Sequence, residues 1–228
     1  MGISVNNDKD SSKSILEKIY KSHHLARKRY GYLYCQGKRG NYLKDWIGKG
    51  KKVLDLGCRD GELTKYFVNG NEVIGADVDS AALNIAREKL GIKTLWLDLN
   101  TEFPFERESL DVIVACEIVE HIYYAEPFIK KIFEVLKHGG LFLGSVPNSF
   151  RVFNRIKFLF GKEFEPDPTH MKMFSYLQLE NLLSNFFVDV QILPLTGRIL
   201  PFLKVSEKTP HTLNRLFARD LLWKAVKK

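Results

Sequence analysis

The sequence predicts an α/β protein with a doubly wound, mostly parallel sheet and helices on both faces. Short apolar strands alternate with helical segments between residues 52 and 146, the arrangement in which helices connect parallel strands. These strands are almost continuously apolar, as expected where both faces of a sheet are covered. Hydrophobic residues make up 45% of the 228 residues, which is enough to form a substantial core.

Each strand is assigned from a short apolar run bounded by turn residues. Seven strands are predicted, at 52–56, 72–76, 94–97, 110–115, 140–146, 187–193 and 221–226. Helices are assigned where apolar residues recur at intervals of three and four. They are predicted at 10–30, 42–47, 61–68, 80–90, 127–136 and 175–187. We expect Ser80 to cap one helix and Ser175 to form a capping box with Gln178 on another.

The pattern divides the chain into an N-terminal helical segment at 1–36 and a main domain at 37–228, with an insertion at about 149–173. Within the insertion, apolar side chains share one face of a predicted helix and basic ones another: Val152, Phe153, Ile156, Leu159 and Phe160, against Arg151 and Arg155. One interpretation is a lid packed over a site. The other is a peripheral contact of 150–164 with a membrane surface or a lipid-linked acceptor.

Charge is distributed unevenly along the chain. Lys and Arg number 35 against 27 Asp and Glu, a net charge of +8. The net charge is +9 over 1–52, −7 over 53–150 and +6 over 151–228. An acidic middle between basic flanks is not the pattern of a uniformly basic nucleic-acid binder.

Cysteine content and hydropathy exclude further classes. The three cysteines form no CxxC pair, so we predict neither a disulfide framework nor a metal site, and a reducing compartment is expected. The N-terminus carries no apolar leader, and no run approaches the roughly 18 apolar residues of a transmembrane helix. The sequence therefore predicts a cytoplasmic protein that is soluble or peripheral to the membrane.

Carboxylates stand at the ends of the first four predicted strands. Asp55, Asp77, Asp98 and Glu117 are each close to the point where a strand ends. Because parallel strands end at the same edge of a sheet, and ligands bind beyond that edge, we expect these groups to meet in one site.

The first strand is followed by a glycine-containing turn that departs from a dinucleotide-binding loop. That loop requires G-x-G-x-x-G so that its backbone can approach a pyrophosphate, whereas here Arg59 stands between Gly57 and Gly61. Asp77, 20 positions after Gly57, suits a ribose diol. An acidic pocket of this kind favours a cationic ligand with ribose and adenine but no pyrophosphate, a description that S-adenosylmethionine fits.

Five consecutive motifs carry a family resemblance: VLDLGCRDGELT, VIGADVDS, LWLDLN, LDVIVACEIVEHI and GGLFLGSVPN. In this order and spacing the chain resembles class I S-adenosylmethionine-dependent methyltransferases over roughly residues 37–193. The resemblance implies a seven-stranded, Rossmann-like sheet that ends in a reversed hairpin. Arg59 and His138 depart from the residues that are more usual at their positions in the family.

The resemblance also implies which residues bind S-adenosylmethionine. Those expected around its methionine part are Arg39, Asp55, Gly57, Cys58 and Gly61. Those expected around the ribose, the adenine and the reactive methyl group are Asp77, Val78, Asp98, Leu99 and Cys116.

Methyl transfer from a sulfonium depends mainly on positioning and desolvation, and a base is needed only where the acceptor must lose a proton. The candidates for that base are His121, His170 and Glu117. We expect an O-methyltransferase for a small molecule or a glycan- or lipid-linked acceptor. The alternatives are an RNA or DNA methyltransferase that uses the basic flanks, and a cofactor-binding protein without catalysis.

Overall fold

The computed structural model describes residues 5–32, 34–164, 167–200, 203–205 and 211–228. The strands are β1 (Lys52–Leu56), β2 (Glu72–Asp77), β3 (Lys93–Trp96), β4 (Leu110–Cys116), β5 (Leu136–Pro147), β6 (Val188–Leu200), β7 (Leu203–Lys204) and β8 (Ala218–Val226). The helices are α1 (Val5–Ala26), α2 (Gln36–Ile47), α3 (Ser80–Leu90), α4 (Ala125–Val135), α5 (Val152–Leu159), α6 (Tyr176–Ser184) and α7 (His211–Phe217).

The strands form one sheet in the order β3-β2-β1-β4-β5-β8-β6-β7. Strands β1 to β5 pair in parallel. Strand β8 is inserted between β5 and β6 and runs antiparallel to both. The predicted seven-stranded, mostly parallel sheet with a reversed last hairpin is therefore confirmed, and the two-residue β7 extends its edge.

Alternate residues of the central strands enter two hydrophobic cores, one on each face of the sheet. Val53 and Val112 pack with side chains of α2 and α3, such as Leu43. Their neighbours Leu54 and Ile113 pack on the opposite face with side chains of α4 and α6. Because every one of these strand residues is fully buried, the strands are apolar on both faces, which explains the pattern seen in the sequence.

Two predictions about local structure are wrong. The segment predicted as a helix at 61–68 contains only a short 3₁₀ turn, Thr64–Tyr66. The N-cap of α3 is Asp79, not Ser80, since the Asp79 carboxylate accepts hydrogen bonds from the backbone N–H groups of Ala81 and Ala82. Asp79 satisfies two of the unpaired N–H groups of the first turn, which is the role expected of a cap.

Helices α3, α4 and α6 agree with the predictions within three residues at each end, whereas α1 begins five residues and α2 six residues earlier than predicted. The capping box of Ser175 and Gln178 is confirmed at the start of α6. The insertion contains α5, whereas α7 and β7 were not predicted. Among the described residues, no helix combines the length and apolar character that a membrane-spanning helix requires.

Candidate active site

A cavity of about 500 Å³ lies beyond the carboxyl ends of the parallel strands. Nearly all of the residues predicted for the site line it. They are Arg39, Asp55, Gly57, Cys58, Asp77, Val78, Asp98, Leu99, Cys116, Glu117, His121 and His170. Gly61 is not among the described residues that line the cavity. A Cβ atom on Gly61 would lie 2.5 Å from Leu90 Cδ1, so this glycine permits close packing of the loop against α3.

The loop after β1 forms one wall of the cavity. Asp55 is buried, and Thr64 Oγ1 donates a hydrogen bond of 2.6 Å to its Oδ2 atom. Burial raises the pKa of Asp55 to about 7. Gly57 has a φ of +72°, and a Cβ atom there would lie 2.1 Å from Ile118 Cδ1. Only glycine avoids both the backbone strain and the clash at this position.

Arg59 also lines the cavity, but its side chain is held by the N-terminal segment. Its Nη2 atom donates to the carbonyl oxygen of Tyr32 at 2.9 Å, and its Nε atom donates to Asp60 at 3.3 Å. Its backbone N–H donates to Asp77 Oδ2 at 2.9 Å. Arg59, which departs from the family pattern, therefore links the N-terminal segment to the loop after β1 through hydrogen bonds.

Asp77, at the end of β2, is buried beside the cavity and accepts a second hydrogen bond from the backbone of Asp79. Burial raises the pKa of Asp77. Asp79 is itself covered by the N-terminal segment, since His24 Nδ1 lies 2.9 Å from its Oδ2 atom and Tyr30 donates to the same oxygen. Although burial opposes it, hydrogen bonding to His24 and Tyr30 lowers the pKa of Asp79 to about 2.

The loop after β3 brings Asp98 and Leu99 to the cavity next to Val78. Asp98 Oδ1 accepts hydrogen bonds from the backbone N–H and the side chain of Asn100 at 2.9 and 3.0 Å. Trp96 Nε1 donates to the carbonyl oxygen of Val78 at 2.8 Å. These bonds fix both loops, as a rigid binding wall requires.

Arg39, Cys116 and Glu117 form the floor of the cavity. Arg39 is 1% exposed, and its Nη2 atom donates to Glu117 Oε1 at 3.0 Å, an atom that also accepts from Ser145. Among the described residues, the buried Nε atom of Arg39 has no hydrogen-bond partner. Burial raises the pKa of Cys116 to about 12, so its thiol stays protonated and is not a nucleophile.

His121 and His170 line the cavity side by side, with ring centroids 4.8 Å apart. His121 follows β4 on a short 3₁₀ turn, and His170 belongs to the insertion. His121 Nδ1 lies 2.9 Å from the carbonyl oxygen of Thr169. Burial lowers the pKa of His121 to about 4, so this side chain is neutral near pH 7.

Several cavity residues were not predicted from the sequence. Helix α1 contributes Tyr20, His23 and His24, although the N-terminal segment was predicted as a separate unit. Asp220 of β8 also lines the cavity, and burial raises its pKa to about 6. Because β8 runs antiparallel, its first residues lie at the edge of the sheet where the parallel strands end. A search for polar residues at the carboxyl ends of strands therefore does not find Asp220.

Comparisons with known proteins identify the family. The profile of a family described as "Methyltransferase domain" matches residues 25–186. A probable S-adenosylmethionine-dependent methyltransferase of Mycolicibacterium smegmatis is 29% identical over 143 residues, covering 62% of this chain and 53% of that protein. A mitochondrial ubiquinone biosynthesis O-methyltransferase of Bos taurus is 31% identical over 158 residues, covering 62% and 42%. The chain spans about half the length of the curated relatives it matches.

Solved structures share the fold. The 1,6-didemethyltoxoflavin-N1-methyltransferase of Burkholderia thailandensis, which contains S-adenosylhomocysteine, has a TM-score of 0.64 at 17% identity over 100% of this chain and 92% of its own. A possible histamine N-methyltransferase of Thermotoga maritima gives 0.64 at 16% identity over 95% and 98%. The open sheet with a reversed strand β8, together with the cavity beyond its strands, defines the methyltransferase type of α/β protein. The chain belongs to the class I S-adenosylmethionine-dependent methyltransferases.

The residues of the cavity fit that cofactor. The buried Arg39 Nε atom is a donor available for a carboxylate, such as the one on the methionine part. Asp77 is a buried acceptor at the end of β2, where a ribose diol is expected. Asp55 lines the cavity, and its carboxyl group ionises when a positive charge, such as that of the cofactor, lies beside it.

Proposed function

We propose that the chain transfers a methyl group from S-adenosylmethionine to an oxygen of a small molecule or of a glycan- or lipid-linked acceptor. The observation that carries this proposal is the presence of both kinds of charge within one cavity. Carboxylates of the acidic middle and cationic side chains of the two flanks line the same cavity, and the carboxylates Asp55, Asp77 and Asp98 suit the cationic cofactor. Those cations are Arg27, Arg29, Arg151, Lys157 and Arg219.

These cationic side chains favour an acceptor that bears an acidic group, such as a phosphate, a carboxylate or a phenol. Transfer to oxygen is supported by the ubiquinone biosynthesis O-methyltransferases among the relatives. The presence of both kinds of charge in the cavity also matches the charge pattern of the sequence, in which the basic flanks surround an acidic middle.

S-adenosylmethionine supplies a methyl group that is activated by its bond to a positively charged sulfur. The chain contributes position and exclusion of water, which together account for large effective concentrations of the two reactants. Asp77 and Asp98 orient the nucleoside, Arg39 fixes the carboxylate, and α1 covers the site through His24.

Of the three groups predicted as a general base, Glu117 is already bonded to Arg39 and Ser145. His121 and His170 line the same cavity next to each other, which supports a contact with the acceptor. We therefore assign the contact with the acceptor oxygen to the two histidines and a positioning role to Glu117.

We also infer that the protein is cytoplasmic and makes a peripheral contact with anionic lipid through α5 and the residues after it. Phe158, Leu159 and Phe160 are 68%, 80% and 76% exposed, and they are flanked by Lys157 and Lys162. Apolar side chains beside basic ones suit the interface of an anionic bilayer. Lys157 also lines the cavity, so a lipid-linked acceptor would enter the site from this surface.

Transfer of a labelled methyl group from S-adenosylmethionine to an acceptor tests the proposal. The full chain is incubated with isotopically labelled S-adenosylmethionine and four acceptors: an acidic glycan, a polyprenyl-phosphate-linked sugar, a catechol carboxylate and tRNA. We expect label in one of the first three. Transfer to tRNA would favour the nucleic-acid alternative, and cofactor binding without transfer to any acceptor would favour a non-catalytic protein.

A further inference from the structure

Glu120, His121 and His170 form a cluster beside the cavity. Each offers one potential metal-ligand atom, and the three atoms lie within 4.8 Å of one another. Glu120 is 1% exposed, whereas both histidines line the cavity. The cluster thus combines a buried carboxylate, that of Glu120, with two imidazoles that line the cavity.

The surroundings of His121 leave one ring nitrogen suited to a metal. The Thr169 carbonyl oxygen can only accept a hydrogen bond, so His121 Nδ1, 2.9 Å away, is the atom that carries the proton. In a neutral imidazole the lone pair then belongs to Nε2. A backbone carbonyl that fixes the other ring nitrogen is a common feature of histidines that bind metals.

His170 also has a carboxylate beside it. Asp167 Oδ2 lies 3.8 Å from His170 Nε2 and accepts a hydrogen bond from Arg29 at 3.0 Å. The backbone of the insertion is tied to the 3₁₀ turn, because Met171 and Lys172 N–H groups both donate to the carbonyl oxygen of Glu120, at 2.8 and 3.0 Å. These bonds hold together ligands that are about 50 positions apart in the sequence.

We infer that Glu120, His121 and His170 bind one divalent transition-metal ion, which coordinates the acceptor oxygen. Two imidazoles and one carboxylate suit ions such as Zn²⁺, Mn²⁺ or Fe²⁺ and leave coordination positions open. Ligand atoms on a tetrahedral Zn²⁺ lie about 3.4 Å apart, given bonds of about 2.1 Å. The present separations reach up to 4.8 Å, so the ligand atoms have to move closer together when the ion binds.

This inference rests on the proposed methyl transfer and gives the two histidines a specific role in it. A metal ion lowers the pKa of a bound hydroxyl group, so the proton leaves to solvent before transfer. The acceptor oxygen then forms a bond to the methyl carbon while the carbon–sulfur bond breaks. Its electron pair remains on sulfur, which becomes a neutral thioether.

The sequence predicted no metal site, because the search there was based on cysteine pairs. The present ligands come from two segments that only the fold brings together. They include two residues that the sequence predicted as alternatives for a general base.

Metal binding to the purified full chain tests the inference. After treatment with a chelator and its removal, the protein is titrated with Mn²⁺ and separately with Zn²⁺, and the bound ion is counted by electron paramagnetic resonance and by elemental analysis. We expect one ion per chain for the wild type and at least a tenfold weaker affinity for His170→Ala. His138→Ala is the control, since the His138 side chain is 72% exposed, and it should bind as the wild type does.

Absence of a stoichiometric ion in the wild type, or equal affinity in His170→Ala, would overturn the inference. If His170→Ala proves unfolded by circular dichroism, the more conservative His170→Gln replaces it, and the wild-type stoichiometry stands as a test by itself. S-adenosylmethionine binding is measured on the same samples by calorimetry. Loss of the metal site alone leaves that binding intact, whereas absence of binding in every sample, the wild type included, would overturn the proposed methyl transfer itself.

Discussion

At the residue scale, the site depends on carboxylates whose environments differ. Asp55 and Asp77 have raised pKa values because they are buried, whereas hydrogen bonds hold that of Asp79 near 2. The first two positions were predicted from strand ends, since parallel strands bring their ends to one edge. The role of Asp79 was missed, because Ser80 is an equally good cap by residue type and only tertiary contacts with α1 distinguish them.

Asp77→Asn should weaken the binding of S-adenosylmethionine by about tenfold to a hundredfold, the effect of losing one hydrogen bond to a charged group (about 1.5–3 kcal/mol). Isothermal titration calorimetry measures the change. Asp189→Asn is the control because Asp189 is exposed. Affinity within twofold of the wild type for Asp77→Asn would exclude Asp77 as the ribose ligand.

Asp55 should make the ligand-free protein less stable as the pH rises. Its pKa is about 7 in the folded protein against a reference value of 3.8, so its contribution is fully present below about pH 4 and is lost as the pH passes 7. Urea unfolding at pH 5 and pH 8 compares the wild type with Asp55→Asn. We expect the free energy of unfolding to fall less between pH 5 and pH 8 in the variant than in the wild type. An equal fall in both proteins would show that Asp55 is not the group with the raised pKa.

At the element scale, α1 acts as a wall of the site and contributes little to the cores. Within the described part of the chain, neither hydrophobic core includes a residue of α1, yet His24 of α1 contacts Asp79 and lines the cavity. The helix itself was predicted from its periodicity. Its position was not, because that depends on polar contacts between residues 55 positions apart.

His24→Ala should release α1 from Asp79 and speed the dissociation of S-adenosylmethionine several-fold. The thermal midpoint should also fall, because the fully buried Asp79 loses one of the two side-chain partners that lower its pKa. Stopped-flow displacement gives the dissociation rate and calorimetry gives the midpoint. Lys21→Ala, at an exposed position on the same helix, serves as the control. Equal dissociation rates in both variants would show that α1 does not cover the cofactor.

Helix α5 and the residues after it should bind anionic vesicles. The double variant Phe158→Ser, Leu159→Ser should lose most co-sedimentation with phosphatidylglycerol vesicles and remain unaffected in S-adenosylmethionine binding. Tyr123→Ser, Tyr124→Ser is a matched control, since both tyrosines are exposed on a different turn. Co-sedimentation that is the same in both double variants, or absent in the wild type, would count against the membrane contact.

At the scale of the whole molecule, the net charge of +8 conceals an acidic middle between two basic flanks. The sequence alone predicted the central strands with their motifs, and it predicted that carboxylates meet at the edge where these strands end. Both predictions depend on local patterns. His121, His170 and the insertion were also predicted, whereas the contributions of α1 and β8 to the cavity were not. These parts converge only through long-range contacts such as Arg29 with Asp167.

Binding to tRNA should be weak and nonspecific, with a dissociation constant no tighter than about 10⁻⁶ M at physiological salt. The middle of the chain carries a net charge of −7, which opposes the approach of an extended polyanion to the cavity. Filter binding at several salt concentrations measures this affinity. Nanomolar binding that falls steeply with salt would favour the nucleic-acid alternative.

The most direct test of the cofactor site is a crystal structure of the protein with S-adenosylhomocysteine. We predict that the ribose hydroxyls bind Asp77, that the adenine lies beside Val78 and Asp98, and that the carboxylate reaches the Nε atom of Arg39. Density for the ligand outside this cavity, or with the ribose turned away from Asp77, would contradict the assignment.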